Sequence, residues 1–249
     1  MQPRMAGLLS ALVIAMGVCV NLWQPWTAWQ ARGLHPAVPT KAVIGADPIH
    51  RIGDLRSMPT LLIFDDHDPI VPPETNAMAA KKALGSNCKI ISFPGKAHAD
   101  PRIYNPATVV NFLSGFPKDT PIVLLHGWGM KGTDWFSATN EGLSSQDRQT
   151  VSHFGLTLRN NFPCKASDFA GDAWGNDNAL HSLEAFTAQD KRVILVGCSM
   201  GGALMWRYTL AHPEKVVALV GLAPVCSLEA MCHTQLGSDI VRAYGSDGE

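Results

Sequence analysis

Five residues, Gly197-Cys198-Ser199-Met200-Gly201, stand directly behind the apolar run Val193 to Val196 and open the stretch Met200 to Ala211. A short run of Val, Ile and Leu without polar alternation fits a strand buried on both faces. Passing from such a strand into a helix within so few residues demands a sharp turn, and the small residues Gly197 and Gly201 leave room for it. The turn lifts residue 199 clear of the sheet at the N-terminus of the following helix. Ser199 is therefore the candidate nucleophile, with the helix dipole and the Met200 N–H at hand to hold developing negative charge. Cys198, one residue earlier, points the other way, and a small buried thiol packs well there.

A bare G-x-S-x-G is weakly specific, so its surroundings carry the argument. With 249 residues the chain is long enough for one large α/β domain with a sizeable core. A formal net charge of −1 and 16% charged residues give no electrostatic reason to expect nucleic acid, and a small neutral or weakly charged ligand fits better. The six cysteines form no C-x-x-C pair and no spacing that would hold zinc, so no metal or organic cofactor is expected. No asparagine stands in an N-x-Ser/Thr sequon, which leans toward a cytoplasmic rather than a secreted or membrane-anchored protein. Against this, Met5 to Val20 is an uncharged, largely apolar run behind Arg4. It reads either as a signal or short membrane anchor or as a core helix.

The rhythm along the chain is βαβα, which implies a parallel sheet of about six strands with helices on both faces. Leu22 to Thr40, rich in Trp and Pro, reads as irregular and as possible lid. Strands are expected at Leu61 to Phe64, Lys89 to Phe93, Ile122 to Leu125, Lys165 to Phe169, Val193 to Val196 and Val216 to Leu222. Helices are expected at Pro73 to Leu84, Pro106 to Leu113, Thr150 to Asn160, Asn178 to Ala188 and Met200 to Ala211. Four segments follow from this: an apolar start at 1–40, halves at 41–115 and 116–225 of one domain, and an irregular tail or lid at 226–249.

A serine needs a base to activate it and a carboxylate to orient that base. Three further segments bear on this. The first, Pro121 to Met130 (PIVLLHGWGM), places His126-Gly127-Trp128-Gly129 after a strand, so that the Trp128 N–H can join that of Met200 as an oxyanion hole while His126 and Gly127 support the loop. This phrase resembles the HGWG-type opening of α/β-hydrolase carboxylesterases. The second, Pro59 to Pro72 (PTLLIFDDHDPIVP), resembles the acid-bearing segment of the same family, and Asp68 matches the acid. Asp65 stands where that family usually has glycine, and Asp65 and Asp66 read as solvated turn residues. In the third, Phe93 to Pro101 (FPGKAHADP), Gly95 to His98 resembles the family's G-x-x-H base segment, with His98 30 residues after the acid.

The resemblance covers most of the chain in swapped order, acid and base before oxyanion loop and nucleophile. It implies a circularly permuted α/β-hydrolase fold, with Ser199, His98 and Asp68 as triad acting on a small-molecule ester. The stretch Ser114 to Thr120 is the critical joint. Seven extended residues reach at most about 25 Å, against about 19 Å for four strand spacings of about 4.8 Å. An exchanged dimer, which would complete the triad between two chains, is the rival to closure within one. Other readings are a non-catalytic hydrolase-like module, which predicts Ser199 and His98 far apart, and a cysteine-dependent hydrolase of the dienelactone type using Cys198.

Overall fold

The structure, a computed structural model, describes residues 33–245 except 96, 141 and 142. The apolar run Met5 to Val20 and the Trp-rich stretch up to residue 32 lie outside the described residues. No helix among those described is long and apolar enough to cross a membrane.

Six strands form one sheet: β1 (Thr60–Asp65), β2 (Cys88–Phe93), β3 (Ile122–Leu125), β4 (Cys164–Ala166), β5 (Val193–Cys198) and β6 (Val216–Leu222). Their order across the sheet is β2-β1-β6-β5-β3-β4, and every neighbouring pair is parallel. Strands β1, β3 and β5 are buried along their whole length, because helices cover both faces and each residue meets a helix whichever way it points.

Alternation divides the core. Leu62 and Phe64 of β1 and Leu195 of β5 face a layer made by α2 (Ala77–Leu84), α5 (Asp177–Phe186) and α6 (Gly201–Ala211). Leu61, Ile63, Ile194 and Val196 face the opposite layer, α3 (Pro106–Leu113) and α4 (Ser145–Asn161). Each fully buried Leu, Ile or Phe contributes about 1.5–3 kcal/mol by leaving water, so a strand with two apolar faces is anchored twice.

The joint between the halves is less taxing than a march along the sheet would be. Val109 and Leu113 of α3 already share a core cluster with Ile122 and Leu124 of β3 and with Phe154 and Leu158 of α4. The helix itself carries the chain beneath the sheet. The linker has only to turn, which it does with the Thr120 N–H donating to the Pro117 carbonyl at 3.1 Å, and to climb into β3. Both halves thus meet within one chain, along β1 and β6.

The segment after Pro224, read from sequence as irregular, holds two helices, α7 (Leu228–Cys232) and α8 (Gly237–Tyr244). Leu228, Met231, Cys232, Leu236 and Ile240 recur at helical spacing and are buried. The small polar residues between them hid that stripe. With α1 (Lys41–Ala46) they build a cap in which Leu34 and Val43 join the same cluster. Hydrogen bonds tie the first described segment to the last: the Ala37 N–H to the Cys232 carbonyl at 2.8 Å and the Ser238 N–H to the His35 carbonyl at 2.9 Å. Asp47 accepts from the Ser227 hydroxyl at 2.9 Å and the Glu229 N–H at 2.8 Å.

Helix α4 starts five residues earlier than its apolar pattern predicts, because Ser144 caps it by accepting from the Asp147 N–H. Within it, a Cβ on Gly155 would stand 1.9 Å from the Trp135 carbonyl oxygen. Alanine is worth about 1 kcal/mol over glycine in a helix interior, yet Gly155→Ala is expected to lower stability by about 1–3 kcal/mol through overpacking. Urea denaturation of the two proteins measures the difference.

Candidate active site

The site lies at the carboxyl ends of the central strands, where α/β sheets of this kind bind ligands. Ser199 follows β5 with φ of +49°, a conformation that side-chain-bearing residues rarely adopt and that marks a locally strained turn. The glycines around it have a visible reason. A Cβ on Gly197 would lie 2.8 Å from the Gly201 carbonyl oxygen, and one on Gly201 2.4 Å from that of Leu125. The strained residue is held from both sides: its N–H donates to Leu222 at 2.9 Å and its carbonyl accepts from Gly202 and Val225, each at 2.9 Å.

His98, from the loop after β2, places Nε2 2.8 Å from the Ser199 hydroxyl oxygen. Its Nδ1 lies 2.6 Å from Oδ2 of Asp68, which follows β1. With the neutral ring protonated on Nδ1, that nitrogen donates to the carboxylate and Nε2 accepts from the serine. The other Asp68 oxygen accepts from the Ile70 and Val71 N–H groups at 2.8 and 3.0 Å. Burial by itself would raise the Asp68 pKa. The facing His98 and the two backbone donors outweigh it and hold the carboxyl below the usual carboxylate range. The structure thus brings Ser199, His98 and Asp68 into one hydrogen-bonded line drawn from three loops.

Asp65 differs from its sequence reading as a solvated turn residue. It is fully buried and accepts from the His67 N–H at 3.1 Å and the Ala97 N–H at 3.4 Å. Its carboxylate packs so close to Gly95 that a Cβ there would stand 2.2 Å from Oδ2. The carboxylate thus braces the loop that carries His98. Asp66 is half-buried at the turn.

The loop after β3 carries Trp128, which lines the same cavity as Ser199. His126 is buried, with Nδ1 2.9 Å from the Gly127 carbonyl and Nε2 2.8 Å from that of Asp168. It braces the loop, as its position implies. Two acids from the loop after β4 hold the same stretch: Asp172 accepts from the Gly129 N–H and Asp168 from the Gly132 N–H, both at 2.7 Å. Neither was legible in the sequence, since an Asp in a Gly-containing loop reads as an ordinary turn residue. Met200 is the N-cap of α6, so its N–H is among those that no earlier carbonyl of the helix can take.

Cys198 is buried, and its thiol sits 3.0 Å from the Tyr104 hydroxyl. Burial pushes that thiol up to about 11, with Tyr104 pulling weakly the other way. Near neutral pH it is a thiol, not a thiolate, and a poor nucleophile.

A cavity of about 110 Å³ opens on Ser199 and His98, walled by Tyr104, Met130, Val151 and Cys198. A larger open groove of about 1010 Å³ runs along the β2 edge past Lys81 and Phe112. None of Ser199, His98 and Asp68 lines it. Among the described residues, one trio could face a metal ion, Asp47, His50 and Glu229, with ligand atoms within 4.8 Å of one another. Asp47 already accepts from the Ile49 and Glu229 N–H groups and the Ser227 hydroxyl, which makes it a brace for the cap.

A carboxyl with a lowered folded-state pKa stabilises the fold fully above the unfolded value of about 4, and that stability is lost as pH falls through the folded value. Between pH 5 and pH 3, wild type is therefore expected to lose more unfolding free energy than Asp68→Asn. Denaturant titrations at the two pH values measure it.

Comparison with known proteins points to the same fold. A family model described as alpha/beta hydrolase fold matches residues 120–239, the stretch from β3 through Ser199 to α8. Similar relatives include the pimeloyl-[acyl-carrier protein] methyl ester esterases of Salmonella heidelberg, Salmonella agona and Salmonella dublin, each 33% identical over 107 residues. The match takes in 41% of this chain and 36% of each relative's length. With a six-stranded parallel sheet between two helical layers and a serine at the turn after β5, the chain has the α/β-hydrolase fold, and just under half of it is similar to that family's model.

Proposed function

We propose that this protein is a serine hydrolase that cleaves carboxylic esters of a small or medium acyl group through an acyl-enzyme. One observation carries the reading, the unbroken line Asp68–His98–Ser199 with contacts of 2.6 and 2.8 Å. These fall within the range a working nucleophile and base require. Ester chemistry agrees with the names of the relatives. Their acyl carrier is not carried over, because the chain spans only about a third of their length.

In the mechanism, His98 Nε2 takes the Ser199 hydroxyl proton as Oγ attacks the ester carbonyl carbon. The carbonyl oxygen becomes an oxyanion and accepts from the Trp128 and Met200 N–H groups. As the bond from carbon to the alkoxy oxygen breaks, His98 gives its proton to the departing alcohol, leaving the acyl group on Ser199. Water repeats the sequence: His98 removes its proton as its oxygen attacks the acyl carbon, the bond from that carbon to Ser199 Oγ breaks, His98 returns the proton to Oγ, and the acid leaves. Asp68 holds the His98 tautomer throughout and faces the imidazolium that forms. The cavity, at about 110 Å³, is well below the 300–1,000 Å³ typical of drug-sized ligands, which favours the short end of the acyl range.

We also read the chain as a circular permutation. The elements bearing acid and base precede those bearing oxyanion loop and nucleophile, and the segments around residues 35–47 and 227–240 pack together. A non-catalytic module is disfavoured by the short Ser199–His98 contact, and a Cys198 nucleophile by its buried, protonated thiol.

A fluorophosphonate probe is expected to label wild type once and Ser199→Ala not at all, with ester turnover falling at least about 10³-fold in the variant. Persistent labelling of Ser199→Ala would reject the nucleophile. Along a series of p-nitrophenyl esters from acetate to dodecanoate, kcat/KM is expected to be highest at four carbons or fewer. A maximum at long chains would reject the small acyl pocket.

A further inference from the structure

We propose that Asp239, on the cap helix α8, is a positioning residue for the oxyanion hole, acting through the indole of Trp128. The inference rests on the serine-hydrolase reading above. Trp128 stands between Gly127 and Gly129, and Gly129 adopts φ of +73°. Flanking glycines leave the peptide around Trp128 with the widest backbone freedom a chain offers, yet an oxyanion donor works only when held within about half an ångström of its proper place. The Gly129 N–H is tied to Asp172, which fixes one side of the residue. Asp239 fixes the other: its Oδ2 accepts from the Trp128 indole N–H at 2.9 Å.

The same oxygen accepts from the indole N–H of Trp174 at 2.8 Å, and Arg242 donates to Oδ1 at 3.2 Å. Trp174 is fully buried and adopts φ of +51°. Its carbonyl accepts from the Tyr244 hydroxyl at 3.1 Å, while Asn176 donates to the Ala243 carbonyl at 2.7 Å. One carboxylate thus gathers two indoles from separate loops, and α8 is bolted to the same loops on either side. With its indole end fixed, Trp128 has few rotations left by which its main-chain N–H can swing away from Ser199. Asp239 does not line the cavity, so a substrate in that cavity meets it only through Trp128.

Removing an oxyanion donor outright costs about 10²–10³ in kcat, and loosening one costs part of that. Asp239→Leu is expected to lower kcat about 10- to 100-fold on a short p-nitrophenyl ester, with KM within about twofold. Affinity for a short-chain trifluoromethyl ketone, whose serine adduct carries an oxyanion, is expected to fall in step with kcat/KM. Asp239→Asn, whose carbonyl oxygen can still accept from both indoles, is expected to regain activity to within about threefold of wild type. Should Asp239→Leu fail to fold, Trp128→Phe keeps the main-chain N–H and an aromatic ring in the cavity wall while removing the indole N–H that tethers it to Asp239, and the same losses in kcat and ketone affinity are expected. Unchanged kcat and ketone affinity in the variant that folds, or KM rising with kcat intact, would overturn the proposal. If Ser199→Ala kept full turnover, the serine-hydrolase reading itself would fall. Loss of turnover in Ser199→Ala with no effect at Asp239 would reject the positioning role alone.

Discussion

The parallel pairing of β1 with β6, with Thr60 opposite Leu219 and Ile63 opposite Leu222, is the seam between the half that carries Asp68 and His98 and the half that carries Ser199. Its last rungs run straight into the site. The Ile63 carbonyl accepts from Ala223, the Leu222 carbonyl accepts from Ser199, and the Ser199 carbonyl accepts from Val225. The strained serine is thus hydrogen-bonded through β6 to the strand that delivers the acid. A register slip of one residue would exchange Leu61 and Ile63 with Leu62 and Phe64 between the two helical layers. It would also displace Asp68 by about 3.3 Å, far more than a hydrogen bond of 2.6 Å tolerates. Double-faced burial of β1, β5 and β6 fixes the register, and the register fixes the chemistry.

Much of this was legible because the informative residues sit where local rules are strict. The runs Leu61 to Phe64, Ile122 to Leu125 and Val193 to Val196 are apolar on both faces because the sheet is covered on both faces, so they read plainly as strands. Ser199, Asp68 and His126 each follow such a run in a recognisable phrase, and His98 follows the half-exposed edge strand β2 in another. What escaped was set by long-range partners. Asp65 looks like a turn residue until Gly95 and Ala97 come over it from 30 residues away. Asp168, Asp172 and Asp239 hold the loop of residues 128–132 from other parts of the chain, and no local pattern distinguishes them from ordinary surface acids. Helices α7 and α8 are short, and their apolar stripe makes sense only beside Leu34 and Val43, which lie nearly 200 residues earlier.

The cap joins both ends of the described chain to the loops after β3 and β4. Asp47 ties α1 to α7, His35 and Ala37 meet Ser238 and Cys232, and α8 reaches across to Trp128 and Trp174. Segments far apart in sequence therefore meet behind the loop that carries Trp128. The joint at Ser114 to Thr120, the most constraining stretch in the sequence reading, is relieved because α3 travels under the sheet and docks beside α4 before the linker begins. The fold tolerates the unusual order of its halves through packing, with no need for a long connection.

The central claim is that both halves of one chain build one site. A complementation experiment tests it most directly: Ser199→Ala and His98→Ala chains are unfolded, mixed and refolded together beside wild type treated alike, and ester turnover is measured. A site assembled within each chain leaves the mixture inactive while refolded wild type regains activity. Turnover in the mixture well above the sum of the two variants would mean that the halves are exchanged between chains, and would contradict the account.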